Sequence, residues 1–134
     1  MKITIESIPH NEQRYNTVGD WQFDKEGNLN IKVSETPKIG QSGFYLIAIH
    51  ELIEAVLCET RDITQDEIDD WDMTIISDTE PGDTKGCPYI FEHCTATGVE
   101  RILASEFEVD WSQYEQELTE LTESYDRDRN AKKD

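Results

Sequence analysis

Residues 43–57 read Gly43-Phe44-Tyr45-Leu46-Ile47-Ala48-Ile49-His50-Glu51-Leu52-Ile53-Glu54-Ala55-Val56-Leu57. Tyr45 aside, only His50, Glu51 and Glu54 in this run can ionise. A helix that is apolar nearly all round is buried, and a carboxylate buried with it must be paired or driven to protonate. In a helix His50 and Glu54 share one face about one turn apart, with Glu51 beside them. That is the geometry with which a helix chelates a divalent cation. The competing arrangement is a buried hydrogen-bonded pair, with Arg14, Arg61 or Arg101 neutralising a carboxylate.

The helix is expected from about Ser42 to Glu59, with Ser42 as N-cap after the loop Gly40-Gln41-Ser42-Gly43. Upstream, three strands are predicted. Lys2 to Ile8 alternates with Ile3, Ile5 and Ser7 on one face, and Thr17 to Phe23 and Leu29 to Val33 follow. Asp24-Lys25-Glu26-Gly27-Asn28 joins the last two as a hairpin, with Gly27 at positive φ. A small sheet needs a cover, and the apolar helix supplies it.

Downstream, Thr64 and Glu67 form a capping-box pattern that opens a second helix over about Gln65 to Ile75, burying Ile68, Trp71 and Ile75. Ser77 to Gly86 reads as an exposed loop. A third helix is expected from Tyr89 to Phe107, with Ala96, Val99, Ile102 and Leu103 as its apolar stripe and Glu100, Arg101 and Glu108 facing away. Asp110 opens a fourth, carrying Trp111, Tyr114, Leu118 and Leu121 at helical spacing. The fold class is therefore α+β: an N-terminal antiparallel β-meander of about three strands packed against about four helices. Residues 1–125 form the domain, and 126–134 a polar, frayed tail.

The chain has 134 residues and a formal net charge of −18. So few cations exclude sequence-independent binding of nucleic acid, which needs Lys and Arg to displace counterions, and attraction to an anionic membrane. The charge suits a solvated surface, a bound cation or a basic protein partner. The N-terminus lacks the long apolar segment of a secretory signal, and the 43–57 run is too short and interrupted to span a bilayer. Cys58, Cys87 and Cys94 fit no disulfide framework, so the expected location is cytoplasmic, with reduced thiols.

His50-Glu51-Leu52-Ile53-Glu54 resembles the zincin signature His-Glu-x-x-His, with Glu in its last place. The resemblance implies a minimal metallopeptidase-like fold. His50 and Glu54 become ligands of zinc, and Glu51 the general base acting on its water. A carboxylate in the fifth place makes the site harder, so Mn²⁺ or Fe²⁺ joins Zn²⁺ as a candidate. The downstream third ligand expected of a compact zincin falls on His93, with Glu92 as its substitute or its hydrogen-bond partner and Glu100 in reserve. The substrate implied is a peptide or protein. The segments Ile8 to Tyr15, Gly19-Asp20-Trp21 and His50 to Val56 also resemble small proteins of tailed phages and prophages, which implies a bacterial host cell.

Other residues carry less. Cys58 continues the His50–Glu54 stripe, but the three span about 12 Å at helical rise, so Cys58 reads as a core thiol. A thiolate-rich zinc site from Cys87, Cys94 and His93 has no standard spacing. His10 reads as an exposed turn residue, and the acids from Glu59 to Glu80 as a solvated face. Three uses of the constellation stay open: a metal-dependent hydrolase, a structural metal site, and a non-catalytic acidic protein that blocks a basic host surface.

Overall fold

The structure, a computed structural model, describes residues 1–74 and 80–132, the last four by backbone alone. Its described elements are strands β1 (Ile3–Ile8), β2 (Gly19–Phe23) and β3 (Leu29–Ser34), then helices α1 (Gln41–Thr60), α2 (Gln65–Thr74), α3 (Ile90–Glu106) and α4 (Trp111–Lys132). The α+β class stands.

The strand order does not follow a meander. β3 lies between its neighbours, antiparallel to β2 and parallel to β1, so the sheet is mixed. Leu29, Ile31 and Val33 are at most 1% exposed, and the most buried strand takes the centre, where both of its edges find hydrogen-bond partners. β1 becomes an edge whose Ile3 and Ile5 face solvent. Residues 9–18 cross the end of β3 rather than turning tightly. They are pinned there by His10 and Gln13, whose side chains both meet the Ser34 hydroxyl, at 2.8 and 3.1 Å. His10 is thus buried, against expectation, and stacks edge-on to Tyr125. The hairpin follows its turn chemistry: Gly27 sits at φ 82° and the Asp24 carboxylate accepts from the Glu26 and Asn28 N–H groups.

α1 lies across β2 and β3 and buries Leu46, Ile47, Ala55 and Cys58. A fully buried Leu or Ile stabilises by roughly 1.5–3 kcal/mol. Its N-cap is Gly40 at φ 83°, with no side-chain cap from Ser42. Gly43 lies one turn in, where a Cβ would strike the Thr36 side chain at 2.2 Å. The helix stops at Asp62, which takes a left-handed φ of 56°, while the Ile63 N–H reaches back to the Cys58 carbonyl. α3 ends alike, with Glu108 at φ 58° and the Val109 N–H on the Ala104 carbonyl.

α2 opens on the expected capping box between Thr64 and Glu67. Ile75 and residues 77–79 of the expected loop lie outside the described residues. The later part of that loop is docked at one point rather than exposed throughout. Pro81–Asp83 form a 3-10 turn in which Gly82 is buried, and Trp71 donates to the Pro81 carbonyl.

α3 departs most from its predicted face. Its buried residues are Glu92, His93, Ala96, Glu100 and Ala104, while Ile102 is 65% exposed. Paired polar groups decide the rotation of this helix. Asp110 caps α4 through the Gln113 N–H, Tyr114 is fully buried, and the helix continues through residues 126–132, where a polar tail is expected from the sequence.

Candidate metal centre

α1 and α3 pack together in opposite directions: Arg61 at the end of α1 pairs with Glu92 at the start of α3, and Tyr45 near the start of α1 meets Phe107 after α3. This brings His93 opposite the His50–Glu54 face. Oε2 of Glu54 lies 3.2 Å from Nε2 of His50 and 2.9 Å from Nδ1 of His93. The three ligand atoms all lie within 4.8 Å of one another, and all three residues are buried. Tetrahedral ligands about 2.0–2.1 Å from a zinc ion stand roughly 3.4 Å apart, so the spacing fits one ion after small side-chain shifts. Among the described residues, no other group of histidines, cysteines and carboxylates could hold a metal in this way.

Each ligand is held from behind. Oε1 of Glu54 accepts from the Trp21 indole at 3.1 Å. Nδ1 of His50 donates to Oε1 of Glu100 at 2.8 Å, and Tyr114 donates its hydroxyl to the other Glu100 oxygen. A carboxylate behind an imidazole fixes the tautomer that aims the other nitrogen at a metal. Behind His93, Nε2 lies 3.5 Å from Asp83, and Gly82 packs so tightly that a Cβ there would meet the imidazole at 2.4 Å.

Electrostatically the trio compensates itself. Burial opposes ionisation of Glu54, yet hydrogen bonds from His50 and His93 hold its carboxyl down at about 2. Burial likewise opposes the imidazolium forms, but Glu100 and Glu54 raise His50 well above its ordinary value, and Glu54 raises His93. None of the three arginines named from the sequence supplies this compensation: Arg14 pairs with Asp20 and Asp69, Arg61 with Glu92, and Arg101 lies over Trp111. Asp20 is a buried residue of β2.

Glu51 behaves differently. It is 8% exposed, and among the described residues no hydrogen bond reaches its carboxyl. Burial, then the charge of Glu54, pushes it well above the ordinary carboxylate range. Space for it comes from Gly19 of β2, where a Cβ would sit 2.6 Å from the carboxyl. Glu51 and the three candidate ligands line a common cavity of about 30 Å³, with Tyr15, Asp72, Glu80 and Tyr89 around them. That is room for about one water.

The remaining candidates do not enter the cluster. Glu92 is engaged by Arg61 at 2.9 Å, so it neither replaces His93 nor orients it. Glu100 supports His50 instead of ligating or facing solvent. Cys94 is exposed while His93 is buried, and Cys87, Cys94 and His93 do not come together as a metal-holding group; Cys58 is a packed thiol with its pKa raised by burial to about 12. The sequence has no signal for Trp21, Gly19, Gly82, Asp83 and Tyr114, which reach the cluster only through packing. Among the described residues no helix is long and apolar enough to cross a membrane. No family model matches the chain, and neither a curated protein nor a solved structure matches it.

Proposed function

We propose that this protein is a compact zincin-like metal-dependent hydrolase, acting on a peptide bond in the cytoplasm of a bacterial host. The single observation that carries the metal reading is the arrival of His93, from a separate helix, on the oxygen of Glu54 that His50 also reaches. His50, Glu54 and His93 would hold Zn²⁺, with Mn²⁺ or Fe²⁺ also compatible with a mixed nitrogen and oxygen donor set. Such an ion supplies Lewis acidity and makes water a stronger acid. Glu51 is the group placed to use that. Its carboxylate takes a proton as the water oxygen bonds to the scissile carbonyl carbon, then returns that proton to the departing amine as the C–N bond breaks. The phage-like segments support the bacterial setting.

Elemental analysis of protein purified without a polyhistidine tag tests the metal. About one equivalent of a transition metal is expected, with a thermal shift on adding Zn²⁺ or Mn²⁺; the absence of both would sink the proposal. Glu51→Gln separates catalytic from structural use. It should abolish peptide hydrolysis while leaving metal content intact, whereas a purely structural site has no hydrolysis to lose.

A second reading rests on the net charge of −18. A non-catalytic acidic protein could cover a basic host surface, with any metal serving to tie α3 to α1. Retention of a basic partner that weakens with graded salt supports it, and no retention at low salt removes it.

A further inference from the structure

We propose that the mouth of this cavity binds the lysine or arginine side chain of a peptide substrate, an inference that rests on the hydrolase reading above. Among the described residues, those lining the cavity include five carboxylates, Asp20, Glu51, Glu54, Asp72 and Glu80, and neither lysine nor arginine. Asp20 is matched by Arg14, through contacts of 2.7 and 2.9 Å. Glu54 is matched by the two imidazoles. Among the described residues, Glu51, Asp72 and Glu80 have no Lys or Arg within ion-pair distance. Those three are the acidic groups of the cavity that a cationic group from outside could pair with.

Two further observations point to a cationic ligand. Glu51 is nine-tenths buried, has no hydrogen-bond partner among the described residues, and lines the cavity. Asp72 stands between Tyr15 and Tyr89, accepting both hydroxyls, and both tyrosines line the same cavity. A carboxylate beside two phenol oxygens offers an ammonium or guanidinium group several acceptors in one place. The Tyr15 ring already accepts such a group from this chain, because the Arg14 guanidinium lies 5.3 Å from its centroid. The free volume is that of one water, so the substrate side chain lies across the mouth rather than inside.

Three decapeptides that differ at one central residue, Arg, Gln or Glu, test this against the zinc-loaded full chain at near-physiological salt. Calorimetry reads binding and mass spectrometry reads cleavage. The Arg peptide should bind about tenfold tighter than the Gln peptide, and the Glu peptide more weakly than both. Asp72→Asn and Glu80→Gln should each shrink the Arg-over-Gln ratio several-fold. Glu115→Gln, on an exposed position of α4, should leave it unchanged. Argininamide should displace the Arg peptide where glutaminamide does not, a readout that needs no variant. Equal affinity for the three peptides overturns the proposal, and so does an equal loss from Glu115→Gln, which would mark a general charge effect. Selective binding without cleavage supports the cation site while removing the hydrolase reading. Failure to load zinc is seen separately, before any peptide is added.

Discussion

Nδ1 of His93 lies 2.9 Å from Oε2 of Glu54, across 39 residues of sequence. One carboxylate oxygen therefore ties α3 to α1 and sits between two imidazoles. A divalent ion replacing those hydrogen bonds would hold the same two helices together.

Removing His93 should consequently remove most of the metal response. His93→Ala should weaken Zn²⁺ binding by about 100-fold or more in calorimetric titration. The wild-type protein should gain about 2.7 kcal/mol of stability at a metal concentration 100 times its Kd, and the variant almost nothing. A wild-type thermal midpoint indifferent to both Zn²⁺ and chelator would contradict this.

Glu100 is predicted to act through His50. Glu100→Gln keeps the shape but loses the charge behind the imidazole, so metal affinity should fall by roughly 10–100-fold with helical content unchanged. Tyr114→Phe, which frees one oxygen of Glu100, should show a smaller loss of the same kind. Both are checked by competition with a colorimetric zinc chelator.

The two glycines behind the cluster should separate metal binding from chemistry. In Gly82→Ala the new methyl meets a rigid imidazole at 2.4 Å, and overpacking of this kind costs about 1–3 kcal/mol. Metal affinity should drop with it. In Gly19→Ala the nearest atoms to the methyl are Cγ, Cδ and Oε1 of Glu51, each at 2.6 Å, so it is the Glu51 side chain that must shift. Metal content should hold while hydrolysis falls at least about tenfold, a pattern read by pairing elemental analysis with a peptide assay.

Asp72 gives a pH signature away from the ligands. Burial raises its carboxyl from an ordinary 3.8 to about 6, partly offset by hydrogen bonds from Tyr89 and Tyr15. The folded chain thus holds this proton more tightly than the unfolded chain does, and stability is lost as pH rises through the window from about 4 to 6. Asp72→Asn lacks that loss. Its stability relative to wild type should rise across the window by on the order of 2 kcal/mol and then level off, as measured by urea unfolding at each pH. A flat difference would mean that the carboxyl titrates normally.

Much of the fold was legible in residues 43–57. An apolar run of that length with a polar trio at helical spacing reads as a buried helix, and the alternating residues upstream give it a small sheet to cover. The capping box of Thr64 and Glu67, the Gly27 hairpin and the Asp110 cap were legible because each is a local hydrogen-bonding pattern. The strand order was not, because hydrophobic alternation says which face is buried and not which neighbour lies alongside. His10 and Gln13, which route the chain over the end of β3, find Ser34 only once the sheet exists.

Within the site, sequence alone determined that His50, Glu51 and Glu54 lie together, since one turn of helix sets their spacing whatever surrounds them. It singled out His93 by residue type and by analogy with a known signature. Only the tertiary structure decided that His93 meets Glu54, that Glu100 turns inward to hold His50, and that Gly19 leaves Glu51 its space. The physical reason is that helix rotation follows the sum of what is buried. On α3 the paired charges of Glu92, His93 and Glu100 outweighed the exposure of Ile102, a balance that no residue on that helix can set before its partners arrive.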